Sequence, residues 1–313
     1  MKKILIIPLV LLPFLWCLTA GTKQRTGGTR KITVDQGGRS RHSLLHIPLQ
    51  TASCPCPLLI VLHGGGGTPR GMAGLTKNRF NELADIAGFY VAYPEGLKRS
   101  WNDFRNDTSS YAHEKKIDDV GFISGLIDRL AAEYPIDKGR VFVTGISNGG
   151  FMSFRLACEL SGKIRGIAAV TATHPVDQEK NCAPSRPMNV LIINGTTDPI
   201  VHYNGGEVTL MGAGRGSILS TDDTVRFWVR FNRCQGGPET QDLPDRDPRD
   251  RTRVRRLSYG PCGAGTRVVL YRVENGGHTW PGGVRYLFTG IIGHTSRDIN
   301  ACDEIWEFFS GIQ

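Results

Sequence analysis

One short segment limits the folds open to this chain more than any other. Residues 141–144, Val-Phe-Val-Thr, have the composition of a short buried strand, and Gly-Ile-Ser-Asn-Gly-Gly follows them directly. Apolar residues then recur at helical spacing from Phe151 to Leu160. Ser147 would therefore lie on a sharp turn from strand to helix, exposed in a strained backbone whose crowding the glycines relieve. The segment predicts a nucleophilic serine, and the alternative is a glycine-rich turn with no chemistry.

The rest of the chain alternates between apolar runs and amphipathic segments. The clearest helix covers Asp118 to Tyr134, where apolar residues recur at helical spacing behind an acidic first turn. Strands that alternate with helices predict a largely parallel sheet covered on both faces. No linker divides the sequence, so we expect residues 21–313 to form one α/β domain. Further strands are predicted at residues 58–62, 89–93, 164–171, 188–194 and 268–273, and further helices at 80–87, 221–233 and 301–309.

The N-terminus has the pattern of an export signal. Met1-Lys2-Lys3 is basic, and residues 4–18 are apolar but interrupted by two prolines. This run is shorter than the ~20 residues that a membrane span needs. We predict that residues 1–20 are a signal peptide cleaved near Ala20 and that the protein is secreted, extracellular or periplasmic. An uncleaved anchor is the alternative, while the bulky Trp16 before Cys17 argues against a lipid attachment.

The formal net charge of +9 raises the question of nucleic-acid binding. The basic residues are scattered, however, and the densest run, residues 246–256, is interleaved with Asp247 and Asp250. That pattern is typical of a solvated loop. We therefore expect no nucleic-acid partner, and no feature of the sequence indicates an oligomeric state.

Seven cysteines follow the predicted signal segment, and their odd number leaves at least one outside an intramolecular disulfide. An exported protein favours disulfides over metal binding. Cys54-Pro55-Cys56 has no matching pair of cysteines or histidines at zinc-site spacing. We therefore expect no metal site.

We predict one disulfide, between Cys234 and Cys262. The two cysteines flank a polar stretch, residues 236–251, that can bury little and would otherwise fray. A bond between them would remove about 3–4 kcal/mol of loop-closure freedom from the unfolded chain. Cys158 with Cys182 is a competing or additional pair.

A serine nucleophile needs a histidine base. Where the chain order is the serine, then an Asp or Glu, then the histidine, the base comes last. His278 lies between two glycine pairs in Gly-Gly-His-Thr-Trp-Pro-Gly-Gly, directly after a predicted strand. This setting suits a site loop better than core packing, so His278 is the predicted base. His202 and His294 are the other downstream candidates.

The predicted acid is Asp198, which follows the strand at residues 190–193. Carboxyl ends of parallel strands are where such sheets place their sites. An ordinary Asp-Pro turn is the alternative role, and Asp177 is the rival acid. Asp222 and Asp223 are better explained as residues that begin a helix.

The tetrahedral intermediate of acyl transfer needs N–H donors aimed at its oxyanion. One predicted donor is the backbone N–H of Asn148, the residue after the serine. The other is expected from Gly64 or Gly65 in the turn of residues 63–67, His-Gly-Gly-Gly-Gly. His63 precedes the serine and is expected to be structural.

Together these segments resemble a known family. The motifs are "VLHGGGG", "YPEG" with "WND", "IDDVGFISGLIDRL", "GISNGGFMSFRLACEL", "NGTTDPIV" and "GGHTWPGG", in the family's order over most of the chain. They are similar to the secreted esterases of the polyhydroxybutyrate depolymerase and feruloyl/acetylxylan esterase group. The resemblance implies an α/β-hydrolase fold and a serine esterase that needs no cofactor, with Ser147, Asp198 and His278 at the triad positions.

Substrate specificity is less clearly implied. Trp101 and Trp280 lie in two of the motifs and are the candidate substrate-binding residues. Residues 102–105, Asn-Asp-Phe-Arg, depart from a glycine- and cysteine-rich loop of many relatives, so the resemblance does not imply which acyl group or alcohol is taken. Polyhydroxyalkanoates, feruloylated or acetylated xylan and small aryl esters all fit. A serine peptidase of related fold and a non-catalytic binding protein are the alternative functions.

Overall fold

The computed structural model describes residues 27–50, 55–179, 181–210 and 212–312. The predicted signal peptide, residues 1–20, lies outside these residues, as does Cys54. Twelve strands are described: β1 (Gly28–Gln36), β2 (Arg39–Ile47), β3 (Cys56–Leu62), β4 (Tyr90–Pro94), β5 (Ile136–Ile146), β6 (Gly166–Val170), β7 (Asn189–Gly195), β8 (Gly206–Leu210), β9 (Ala213–Ile218), β10 (Glu239–Asp242), β11 (Arg253–Tyr259) and β12 (Val268–Glu274).

The helices in the same residues confirm the predicted alternation. The helix predicted from Asp118 begins one residue later, because the Asp118 side chain caps it by accepting the Gly121 N–H. The helices are α1 (Pro69–Leu75), α2 (Arg79–Ala87), α3 (Tyr111–Glu114), α4 (Asp119–Glu133), α5 (Asn148–Glu159), α6 (Val176–Glu179), α7 (Thr221–Phe231), α8 (Thr289–Ile292) and α9 (Ala301–Ser310).

Ten strands form one sheet in the order β1-β2-β4-β3-β5-β6-β7-β12-β11-β10. The six central strands, β4, β3, β5, β6, β7 and β12, are all parallel. At each edge, two further strands each pair antiparallel with the strand next to them, β2 and β1 at one edge and β11 and β10 at the other. Every residue of β3, β4, β6 and β7 is buried. Such continuous apolar strands need cover on both faces. The predicted α/β-hydrolase fold with a mostly parallel sheet is confirmed.

The core lies in two layers, one on each face of the sheet. Successive side chains of a strand point to opposite faces. Leu58 and Ile60 of β3 accordingly pack with Phe122 and Leu126 of α4. Leu59 packs on the other face, among side chains of α1, α2 and α9. In this way the central strands are fixed between helices, and their carboxyl ends form a rigid edge.

The described residues contain two disulfides, and Cys302 has a buried thiol. Cys234 is joined to Cys262, which links the end of α7 to the segment before β12, as predicted. Cys158 and Cys182 form a second disulfide. Cys302 of α9 is fully buried, and burial raises the pKa of its thiol. Among the residues described, no helix combines the length and the apolar character required to span a bilayer.

Candidate active site

Ser147 lies at the turn between β5 and α5. Its backbone has φ 55° and ψ −122°, a combination that residues other than glycine rarely adopt. Such a conformation costs about 1–3 kcal/mol and persists only where the surroundings enforce it. The Ser147 N–H donates to the Val170 carbonyl on β6 at 2.9 Å, and the Phe151 N–H donates to the Ser147 carbonyl at 2.8 Å. The elbow predicted from the sequence is therefore present, with its serine at the carboxyl end of the central strand β5.

The glycines of the elbow are required by close backbone contacts. A Cβ on Gly145 would lie 2.5 Å from the carbonyl carbon of Gly149. One on Gly149 would lie 2.6 Å from the carbonyl oxygens of both Leu62 and His63. Because real Cβ atoms do not approach so closely, β3, β5 and α5 can meet in this arrangement only where these side chains are absent.

The predicted acid and base lie on neighbouring loops. Asp198 follows β7 and His278 follows β12, and these two parallel strands are adjacent in the sheet. His278 Nδ1 lies 2.8 Å from Asp198 Oδ2, and each residue is only 4% exposed. Asp198 Oδ1 accepts the N–H groups of Ile200 and Val201, both at 2.8 Å. Since one carboxylate oxygen is held by the backbone, the other is positioned to fix the tautomer and orientation of the imidazole.

The rival residues are not brought to this pair. Asp177 is exposed on α6, and His202 is exposed on the loop after Asp198. His294 contributes its backbone, since its carbonyl accepts the Gly277 N–H at 2.9 Å and so supports the loop that carries His278. Tyr286, which sequence reasoning did not identify, donates its hydroxyl to the His278 carbonyl at 2.7 Å.

The predicted oxyanion donors line the same cavity as Ser147 and His278. Asn148 is the first residue of α5, so its N–H has no acceptor within the helix. Throughout the described part of the chain, the N–H groups of Gly64 and Gly65 have no acceptor either. A Cβ on Gly64 would lie 3.6 Å from the Ser147 Cβ, so the glycine turn faces the elbow. This arrangement could hold a developing negative charge beside the serine.

His63 fastens the glycine turn to the loop that follows β4. Its Nδ1–H donates to the Gly64 carbonyl at 2.8 Å, and its Nε2 accepts the Gly96 N–H at 3.0 Å. Burial, with the nearby Arg99 charge as a further cause, lowers the pKa of His63 to about 4 despite its bond to Gly64. The imidazole is therefore neutral at pH 7, in agreement with a structural role.

The loop that departs from the family pattern forms a buried polar network beneath the elbow. The Asn148 amide donates to Asp103 Oδ2 at 2.6 Å. The other partners of Asp103 are Arg105 Nη2 at 2.7 Å and His113 Nε2 at 2.8 Å. Burial alone would raise the pKa of Asp103, but Arg105 and the hydrogen bond from His113 hold it well below its usual range. The sequence offered one signal for this network, an Asp and an Arg two residues apart.

The structure does not place Trp101 and Trp280 in the cavity wall, which corrects their assignment as substrate-binding residues. Both indoles are fully buried. Trp101 Nε1 donates to the His63 carbonyl at 2.9 Å, and Trp280 packs edge-on against Phe80. Each fills space behind a site loop, which explains why a large aromatic residue stands within each motif.

The cavity has a volume of about 750 Å³, which suits a small organic ligand. Its apolar wall includes Met72, Leu75, Ile200, Val208 and Leu210. An ester with an aromatic or aliphatic part could therefore be held with its carbonyl near Ser147.

One group of side chains has the composition of a metal site. The ligand atoms of Cys158, His174 and Cys182 lie within 4.8 Å of one another. The two sulfurs are joined in a disulfide and offer no thiolate. His174 is fully buried among aromatic rings, and burial lowers its pKa to about 3. With the disulfide intact, these residues do not fit a metal.

Comparisons with known proteins agree with this geometry. Residues 50–210 match the phospholipase/carboxylesterase family. The putative esterase NocK of Nocardia uniformis subsp. tsuyamanensis is 30% identical over 91% of this chain and 83% of that protein. Feruloyl esterase B of Piromyces equi is 28% identical over 73% of this chain, which spans 40% of that protein. The bifunctional acetylxylan esterase/xylanase XynS20E of Neocallimastix patriciarum is 25% identical over 81% of this chain, which spans 31% of it.

Among solved structures, the acetyl xylan esterase from Aspergillus awamori superposes with a TM-score of 0.57. The match covers 91% of this chain and 99% of that one, at 15% sequence identity. At this identity the likeness establishes the shared fold.

Proposed function

Because this chain belongs to the phospholipase/carboxylesterase family and is a carboxylic-ester hydrolase, we propose that Ser147, His278 and Asp198 are its catalytic triad. One observation carries the proposal. His278 is hydrogen-bonded to a buried Asp198 at 2.8 Å and lines the same cavity as Ser147 on its strained elbow. A histidine oriented by a carboxylate beside a strained serine has the geometry of an activated nucleophile.

The reaction would proceed through an acyl-enzyme. His278 Nε2 takes the proton of the Ser147 hydroxyl as its oxygen attacks the ester carbonyl, and the C–O bond to the alcohol then breaks. The departing alkoxide receives that proton from His278. A water molecule, deprotonated by His278, then attacks the acyl-serine. The bond between the acyl carbon and Ser147 Oγ breaks, His278 returns the proton to Oγ, and the acid is released. The N–H of Asn148 and that of Gly64 or Gly65 would stabilise both oxyanions.

The location and substrate class follow from separate observations. Residues 1–20 have the signal pattern, and the two disulfides are typical of oxidising compartments, so we propose a secreted protein with a single catalytic domain in residues 21–313. Relatives named feruloyl esterase and acetylxylan esterase support feruloyl or acetyl esters of xylan as substrates. Polyhydroxybutyrate-type esters are the competing class, and the apolar wall of the cavity accommodates either.

The proposal is tested by hydrolysis of 4-nitrophenyl acetate beside 4-nitroacetanilide. We expect ester turnover with little amide turnover, and Ser147→Ala should lower kcat by about 10⁶-fold because no nucleophile remains. An exposed serine of α9 provides the matched control, so Ser310→Ala should leave kcat unchanged. Near-normal turnover by a folded Ser147→Ala protein, judged by circular dichroism, would contradict the assignment. A panel of feruloyl, acetyl-sugar and 3-hydroxybutyrate esters then separates the substrate classes.

A further inference from the structure

The cavity beside Ser147 has an excess of positive charge. Of the described residues that line it, Lys98, Arg99, Arg105 and Arg215 are cationic and Asp107 alone is a carboxylate. Binding a neutral ester does not require an excess of cationic side chains. The cations are not equivalent, however, because some of them are already neutralised by the protein.

Two of the four cations have partners. Arg105 is almost fully buried and makes charged hydrogen bonds to Asp103 through both Nε and Nη2. Arg215 lies 3.8 Å from Asp107 and donates to the Ser109 hydroxyl at 2.6 Å. Their charges are used to hold the loops that form this wall.

Lys98 and Arg99 differ from these two. Both side chains are exposed, and within the residues described neither has an ion pair or a side-chain hydrogen bond. The Arg99 charge nevertheless acts on the interior, since it is one cause, after burial, of the lowered pKa of His63. Two cations thus face the cavity with no counter-charge from the protein.

The backbone holds these two residues in an unusual conformation. Lys98 has φ 51° and Arg99 has φ 61°, in the left-handed region that long side chains seldom adopt. The Arg99 carbonyl accepts the Gly66 N–H at 2.8 Å, which ties the pair directly to the glycine turn. Backbone strain that a site loop enforces occurs at ligand clamps, and here it fixes the point from which both side chains extend.

We propose that the substrate is an ester that also carries an anionic group, such as a carboxylate, and that Lys98 and Arg99 bind this group. The inference rests on the proposed function and narrows its substrate class. The two cations would attract the anionic group of such a substrate. Anionic esters would therefore meet and bind the protein more readily than neutral esters of the same shape.

The test uses two pairs of esters, because the charge could lie on either side of the scissile bond. In the acyl pair, 4-nitrophenyl hydrogen adipate is compared with 4-nitrophenyl methyl adipate. In the alcohol pair, 4-acetoxybenzoate is compared with methyl 4-acetoxybenzoate. Each kcat/KM is divided by the rate of hydroxide-catalysed hydrolysis, which removes intrinsic reactivity. We expect the charged member of at least one pair to be favoured about tenfold at low ionic strength, and less at high salt because exposed charges are screened.

The matching variant is Lys98→Gln with Arg99→Gln, which removes both charges but keeps unbranched side chains. The control is Lys77→Gln with Arg233→Gln, since this second pair has the same residue types, is exposed, has positive φ and lies outside the cavity. The charged-to-neutral ratio should fall towards one in the first variant and stay at the wild-type value in the control.

The outcomes separate the two proposals. If the neutral esters are hydrolysed but neither charged ester is preferred, the inference is wrong and the proposed function stands. A preference that survives in the Lys98/Arg99 variant also overturns it. If that variant does not fold, the salt dependence of the wild-type ratio decides alone, because a preference that does not weaken with salt is not made by exposed cations. Failure to hydrolyse any of the esters would contradict the proposed function itself, and the inference with it.

Discussion

Two regions of this molecule contain a histidine paired with a buried aspartate, and the pairs are nearly identical in distance. His278 Nδ1 lies 2.8 Å from Asp198, and His113 Nε2 lies 2.8 Å from Asp103. Asp198 has backbone N–H groups as its other partners, and its histidine lines the cavity. Asp103 is instead surrounded by Arg105, His113 and the side chain of Asn148.

The difference lies in what each carboxylate charge does. The charge of Asp103 is matched by Arg105, and His113 lies outside the wall of the cavity that contains Ser147. Within the described residues, the only ion-pair partner of Asp198 is His278, which would carry a positive charge during the proposed reaction. A short Asp–His distance is therefore not enough to assign a catalytic pair, and the role proposed for Asp198 and His278 depends also on His278 lining the cavity that contains Ser147.

Asp198→Asn should have the larger effect on activity. The replacement keeps the shape of the side chain but no longer fixes the imidazole tautomer, so we expect kcat to fall by about 10⁴-fold. The measurement is steady-state hydrolysis of 4-nitrophenyl acetate. Asp177→Asn is the control, since Asp177 is the rival acid and is exposed. A loss in the Asp177 variant, with near-normal activity in the Asp198 variant, would show that the acid is misassigned.

Asp103→Asn should act mainly on stability. It leaves the Arg105 charge buried without a counter-ion, so the free energy of unfolding should fall by about 3–5 kcal/mol in urea denaturation. The folded protein should keep kcat within about 100-fold of wild type, because Asp103 positions the loop and does not meet the substrate. A loss of kcat as large as that of Asp198→Asn would contradict the structural role assigned to Asp103.

The effect of Asp103→Asn should also depend on pH. Interactions with Arg105 and His113 outweigh burial, so the pKa of Asp103 in the folded protein lies below its ordinary value of 3.8. A depressed carboxyl pKa stabilises the fold above the unfolded-state pKa, and this stabilisation is lost as pH falls through the folded-state pKa. The stability difference between wild type and variant should thus be constant above about pH 5 and shrink below pH 4.

His113→Gln should have the smallest effect. It removes one hydrogen bond to Asp103 while Arg105 continues to balance the charge, so we expect a loss of about 1 kcal/mol in the free energy of unfolding. The value of kcat should change by less than about twofold. The parallel change His278→Gln is the matched comparison and should abolish turnover. A tenfold loss of kcat in the His113 variant would place His113 in the reaction.

The parallel core of the fold could be predicted because its signals are local. Buried parallel strands are continuous apolar runs, and helices such as α4 repeat their apolar residues at a fixed period. The antiparallel edges could not be predicted in this way. All four residues of β10 are exposed, and β10 lies in the polar stretch between Cys234 and Cys262 for which no strand is predicted. It is a strand because it pairs with β11. The hairpin of β1 and β2 is absent from the predicted strands for a similar reason, since β1 has few apolar residues and is a strand because it pairs with β2.

The candidate site divides in the same manner. Ser147 follows β5 directly, and Asp198 and His278 lie in the short loops after β7 and β12. The chain order of the three residue types restricts their choice further. The network of Asp103 with Arg105, His113 and Asn148 includes a contact between residues 45 positions apart. The periodic patterns that predict helices and strands do not predict contacts of that kind. Trp101 and Trp280 were misjudged because a motif shows that a large side chain is needed but not which way it faces.

The close packing of the elbow has a consequence for how this sequence can diverge. A Cβ at Gly145 or Gly149 would collide with backbone atoms of the elbow and of β3 whether or not any ester is turned over. A descendant that lost its activity could lose the Ser147 hydroxyl to a small residue that tolerates the same backbone, yet it would still have to keep both glycines in order to fold. Gly145 and Gly149 on either side of Ser147 therefore report the shape of the elbow, while the hydroxyl between them reports its chemistry. Genome searches that accept the glycines alone will gather former enzymes together with working ones.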